Sequence, residues 1–150
     1  MGLKLGSTAF FNNSPIPEHY TCSGIDKSPP LAWYDANKTT KSYVLIVDDP
    51  DAPAGIWVHW VLFNIPADMT LLPEGAPIPK GAVSGKNSWG SPGYRGPCPP
   101  PGRTHRYFFK IYALDTVLDL TDSATKQDVE KAMNNHIIDQ GEYIGLYSRK

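Results

Sequence analysis

Three short stretches of this 150-residue chain set titratable side chains against apolar segments. The first is Asp48-Asp49-Pro50-Asp51. Carboxylates this close repel one another and raise at least one pKa unless a cation or donor is near. Pro50 fixes its own φ and pushes Asp49 toward an extended conformation, which positions the acid. The second is His59, a polar intruder in a charge-free apolar run; period-two geometry puts it on the face shared with Trp57 and Val61. The third is His105 with Tyr107, which share one strand face while Arg106 points to the other. Each has an ordinary alternative: a solvated acidic turn, a core histidine with one nitrogen satisfied, a half-exposed strand face.

Taken together, these groups describe a small pocket with imidazole and phenol donors and at least one carboxylate. A neutral imidazole offers one N–H and a tyrosine one O–H. Such donors suit an anion such as phosphate, with carboxylates holding the imidazole tautomers. An anion should favour protonated His59 or His105, so affinity should rise as pH falls toward about 6. The same His, His and Asp set could also hold a metal, although no zinc spacing such as HExxH is present. Other chemistry fails on inspection. The segment Gly81 to Asn87 is one residue short of a phosphate loop and ends in Asn where Ser or Thr is required. There is no GxSxG elbow and no strand followed by GxGxxG.

The elements that must position these groups read as strands. Tyr43 to Val47 is continuous, β-branched and apolar, as expected of a strand buried on both faces. Ile56 to Ile65 and His105 to Leu114 are the next two strands, and Tyr143 to Tyr147 is a last extended segment. Ala9-Phe10-Phe11 and Leu31 to Tyr34 read as brief strands. Residues 66–104 form a long Pro/Gly-rich loop, of a length that usually carries function or short strands. One helix is expected after Thr125, where Thr125 and Asp128 form a capping box. Its apolar stripe, Val129, Ala132, Met133, His136 and Ile137, ends before Gly141.

Composition agrees with this reading. The chain holds 15 prolines and 13 glycines, well above the roughly 12% average of the two together, and long helices do not survive that density. With 41% apolar and 11% aromatic residues it still has material for a core, and 150 residues fit a single domain over 1–150. A net charge of −1 without a basic cluster excludes a nucleic-acid binder and gives anionic membranes little to attract. No apolar run approaches the roughly 18 residues of a spanning helix, so no integral membrane association is expected. The N-terminus lacks the apolar stretch of a signal peptide, so a cytoplasmic address is the default expectation. In that compartment Cys22 and Cys98 would be two reduced thiols, and a disulfide would require their loops to meet in space. Asn37-Lys38-Thr39 is a glycosylation sequon.

Five blocks in order carry a resemblance to a known family. They are Tyr20-Thr21-Cys22-Ser23-Gly24 with Ser28 to Trp33, Val47 to Pro53, His59 to Pro66, Gly96-Pro97-Cys98-Pro99-Pro100, and His105-Arg106-Tyr107. Over nearly its whole length the chain resembles the bacterial and archaeal branch of the phosphatidylethanolamine-binding protein family, also called Raf kinase inhibitor-like proteins. The resemblance implies an antiparallel β-sandwich with Greek-key-like connections, one or two short helices and long Pro/Gly-rich loops. It implies a small anion pocket at one end, built here from Asp49, Asp51, His59, Pro97, His105 and Tyr107. Cys22, Trp57 and Cys98 would stand at its rim, the cysteines as thiols or as a bridge. Animal members carry a C-terminal helix over the pocket; none is expected here, since Lys150 follows soon after Tyr147.

The expected function is non-enzymatic binding of a small anionic ligand, of phosphate or phospholipid head-group type, which could regulate a partner protein. No cofactor is expected, and a homodimer is left open. An alternative is a protein–protein module, inhibitory toward a kinase or protease, that uses the Pro-rich loop 92–101 as a rigid contact surface. A hydrolase or metal enzyme built on Asp49, His59 and His105 is a third reading.

Overall fold

The computed structural model describes residues 2–150. Its strands are β1 (Lys4–Gly6), β2 (Ser14–Pro15), β3 (Leu31–Tyr34), β4 (Ser42–Asp49), β5 (Trp57–Pro66), β6 (Leu71–Leu72), β7 (Val83–Ser84), β8 (His105–Leu114) and β9 (Ile137–Tyr147). One helix, α1 (Lys126–Met133), and a 3-10 turn at Glu18–Tyr20 complete the elements. The strands make a six-stranded sheet in the order β2-β9-β8-β4-β5-β7 and a three-stranded sheet in the order β1-β3-β6. All pairings are antiparallel except the short β2–β9 contact. β8 lies against β4 on the side opposite β5, so the long segment between β5 and β8 crosses over to reach it.

The small sheet packs on one face of the large one. Leu5, Leu31 and Trp33 meet Leu45, Val47, Leu62, Phe109 and Ile111 in the main core. The other face is covered by α1 and the chain before it: Val44, Ile46, Val61 and Phe63 pack with Leu118, Val129 and Met133. β4 is thus buried along its whole length on both faces, which is why its apolar run does not alternate. No helix among the described residues is long and apolar enough to cross a membrane.

The three long strands form where their patterns place them; three local expectations are corrected. Ala9-Phe10-Phe11 forms no strand; Ala9 and Phe10 lie in a bend. Asn13 turns the chain with φ 63°, and the Phe10 ring plugs the core against Phe109 and Tyr143 at centroid distances of 5.7 and 5.3 Å. The helix has the expected capping box, with Asp128 N–H donating to Thr125 Oγ1 and Thr125 N–H to the Asp128 carboxylate. It stops at Met133, however, and His136 leaves the stripe to pair with Asp115. Asn134 and Asn135 favour local turns over helix, and Asn135 adopts φ 70°. The chain then enters β9 at Ile137, six residues before the extended segment expected from its pattern, because β8 offers a partner along its full length.

Candidate functional site

Asp49 ends β4, Trp57 and His59 begin β5, and His105 and Tyr107 begin β8, so antiparallel pairing gathers all five at one end of the large sheet. β5 carries a bulge there: Val47 pairs with Trp60 while Asp48 pairs with Val58, leaving His59 as the extra residue. A bulge breaks the period of two and re-aims the side chain. His59 therefore shares the inner face with Trp57, whereas Val61, expected on that same face, packs beneath α1.

These residues line one cavity of about 420 Å³ together with Ala52, Pro53 and Ala54 and with Trp89, Cys98, Pro99 and Pro100. Asp49 is the one carboxylate in its wall, and no Lys or Arg lines it. His105 Nδ1 lies 2.7 Å from Asp49 Oδ2, with both side chains buried. The other Asp49 oxygen accepts from the Asp51 N–H at 2.7 Å. His59 Nδ1 lies 2.6 Å from the Arg95 carbonyl oxygen.

These partners decide the tautomers. A carboxylate and a carbonyl only accept, so each Nδ1 carries the proton and donates it. Neither Nε2 has a hydrogen-bond partner among the described residues. In the neutral state each is a bare acceptor at the cavity. Burial lowers the His59 pKa, with the Arg95 carbonyl opposing it. Burial, reinforced by Asp49 and Asp51, pushes the Tyr107 phenol well up, so Tyr107 stays a neutral donor. Aromatic edges hold the set in place: the His59 ring meets Trp89 and Tyr107, each at 5.2 Å, and Trp57 meets Trp89 at 5.4 Å.

The remaining sequence-expected residues stand behind this lining. Asp51 turns outward and grips Arg106 through paired 2.9 Å contacts, which hold its carboxyl at about 2. Pro97 is buried behind the wall, its carbonyl accepting from the Cys22 N–H. Cys22 and Cys98 are joined in a disulfide, which overturns the expectation of two reduced thiols: the loops do meet, with Cα atoms 5.4 Å apart. Trp89 carries no pattern in the sequence that marks it for the site. Its place in the wall comes from Asn87, whose side-chain oxygen accepts from the Trp89 N–H within the Pro/Gly-rich loop. Arginines ring the site without lining it: Arg95 lies 4.8 Å over Trp89, Arg106 is bound to Asp51, and Arg149 contacts the disulfide.

A two-sheet sandwich with a histidine-floored cavity at the end of its larger sheet defines a small ligand-binding β-domain. The chain belongs to the phosphatidylethanolamine-binding protein family, whose sequence profile matches residues 6–148. It is 52% identical over 151 residues to a UPF0098 protein of Methanothermobacter thermautotrophicus, covering 98% of this chain and 99% of that one. It is 48% identical over 157 residues to a UPF0098 protein of Pyrococcus horikoshii, covering 100% of this chain and 78% of that one. Among solved structures it superposes on CT736 of Chlamydia trachomatis, described as a homologue of the family, with TM-score 0.94, 43% identity and 99% coverage of both chains. It also superposes on E. coli YbcL, described as a member of the mammalian family, with TM-score 0.93, 32% identity and full coverage of both chains.

Proposed function

We propose that the cavity binds a small phosphorylated anion, and that it does so by taking up a proton. The observation that carries this reading is the pair of bare Nε2 atoms on two histidines that line the cavity together with Tyr107. Neutral, the floor has one donor facing two acceptors; protonating either imidazole converts an acceptor into a cationic donor. Hydrogen phosphate and phosphate monoester dianions supply the compensating charge and accept from the donor so created. The surrounding arginines add long-range attraction without occupying the cavity. Asp49, the carboxylate of the wall, is committed to His105 Nδ1 and to the Asp51 N–H, an arrangement that suits it to holding an imidazole for a ligand rather than attacking one.

Isothermal titration with inorganic phosphate and with phosphoethanolamine tests this. Binding should be present in the parent chain and lost in His59→Ala and His105→Ala. Undiminished binding in both variants would reject the assignment.

A second reading uses the crest of the Pro-rich loop as a protein contact. Pro100, Pro101 and Gly102 are exposed, and the segment before them is tied to the body by the disulfide and the Cys22–Pro97 hydrogen bond. A preformed, low-entropy surface suits docking to a kinase or protease. Partners retained by His59→Ala and His105→Ala but lost on replacing Pro101 and Gly102, which stand outside the cavity lining, would favour this reading.

A further inference from the structure

The disulfide has an unusual setting. Both cysteines are exposed, and Cys98 belongs to the cavity wall with its neighbours Pro99 and Pro100. The Arg149 side chain reaches the two sulfurs, with Nη1 3.0 Å from Cys98 Sγ and 3.5 Å from Cys22 Sγ. The Gly102 N–H donates to the Arg149 carbonyl oxygen at 3.2 Å, which holds the tail against the same loop. A neutral disulfide gains little from a guanidinium. A thiolate gains a great deal, so a cation held at these atoms favours the reduced state and eases departure of the sulfur beside it. A bond kept purely as a staple would be better served by an apolar cover.

We propose that Cys22–Cys98 is a thiol-exchange site that sets the state of the cavity wall, with Arg149 as the residue that receives the released thiolate. The effect on anions rests on the phosphate-binding reading above. An external dithiol attacks Cys22 Sγ as its thiolate. The S–S bond breaks, and its electron pair leaves on Cys98 Sγ beside Arg149. The second thiol of the dithiol then resolves the mixed disulfide at Cys22. The protein gains two electrons and the dithiol becomes a cyclic disulfide. The backbone bonds from Cys22 N–H to the Pro97 carbonyl and from Gly96 N–H to the Asp26 carboxylate remain. The tie is lost at Cys98 itself, and a negative sulfur now stands in the wall of an anion cavity. Reduction therefore weakens anion binding.

The experiment uses the full chain, oxidised or treated with dithiothreitol, and the variant Arg149→Gln, whose change lies in the tail and leaves the core intact. Thiol release is followed by mass, and phosphate affinity by calorimetry in both redox states. Arg149→Gln should be reduced about threefold more slowly or worse, the size expected for one unit of thiol basicity. The reduced parent should bind phosphate about fivefold more weakly or worse. Equal reduction rates in parent and variant would overturn the proposal, as would equal phosphate affinity in the two redox states. If neither state binds phosphate, the anion reading is what fails. The wall is then judged by Trp57 and Trp89 fluorescence: a change on reduction supports the proposal, and an unchanged spectrum rejects it.

Discussion

His105 Nδ1 stands 2.7 Å from Asp49 Oδ2 where neither side chain is more than 4% exposed. Two groups removed from water this completely depend on each other, because removing one leaves the other buried and unpaired. Asp49→Ala should lower unfolding free energy by about 3–5 kcal/mol. It also frees the Asp51 N–H that the second Asp49 oxygen accepts. Urea unfolding at pH 7 measures the loss; a value below about 1 kcal/mol would mean that the pair is dispensable to the fold.

Phosphate binding should be coupled to protonation. Both Nδ1 protons are committed to Arg95 and Asp49, so the only way to create an Nε2 donor is to add a proton. Affinity should rise between about pH 8 and pH 6, with net proton uptake. Calorimetry in buffers of different ionisation enthalpy reads the proton directly. Flat affinity without uptake would leave Tyr107 as the sole donor and remove the imidazoles from the account.

The same histidine makes stability pH-dependent. Burial lowers the His59 pKa below its ordinary 6.5, so the unfolded chain takes up this proton at a higher pH than the folded one. Its contribution is complete above about 6.5 and is lost as pH falls through the folded value. Saturating phosphate, by favouring the protonated form, should reduce that loss. Thermal unfolding between pH 7.5 and 5, with and without phosphate, would show it; identical acid sensitivity in His59→Phe would assign the effect elsewhere.

Asp51 behaves oppositely in position but alike in sign. Arg106 holds its carboxyl at about 2 against an ordinary 3.8, so its contribution is present above about 3.8 and disappears as pH falls through about 2. Arg106 is about half exposed, so the contribution is modest. Asp51→Asn should cost about 1 kcal/mol at pH 7, and that cost should fade as pH drops through about 2. A cost that does not change with pH would point to the Arg106 backbone bond rather than the charge.

Gly96→Ala should damage both fold and site. A Cβ there runs into the Tyr20 carbonyl oxygen, which accepts from the Tyr94 hydroxyl, and into the Asp26 carboxylate, which accepts from the Gly96 N–H itself. Overpacking of this kind costs about 1–3 kcal/mol. The displaced segment carries the Arg95 carbonyl that sets the His59 tautomer, so phosphate affinity should fall with stability. Unaltered affinity in a destabilised variant would separate the two.

Much of this fold can be read along the chain. An uninterrupted apolar run needs cover on both faces, and Tyr43 to Val47 has it. The capping box at Thr125 is a local device and forms as its residues dictate. The errors occur where local pattern competes with a partner. His136 continues the helical stripe in sequence, yet two asparagines and the open edge of β8 draw the chain away first. Phe10 has strand character but is used as a plug.

At the candidate site, residue types single out the acidic turn Asp48 to Asp51, His59, and His105 with Tyr107, each with an ordinary alternative, and the family resemblance is what narrows the carboxylates to Asp49 and Asp51. Their convergence came from three strands whose pairing is long-range. Which way each side chain faces was settled only by tertiary structure. The bulge at His59 arises from β4–β5 register, the outward turn of Asp51 from Arg106, and the Cys22–Cys98 bond from two loops that adjoin only once the sandwich closes. Local propensity determines strands, caps and turns because its interactions span a few residues. Register, tautomer and disulfide partner depend on atoms far apart in sequence, and the folded core alone brings them within bonding distance.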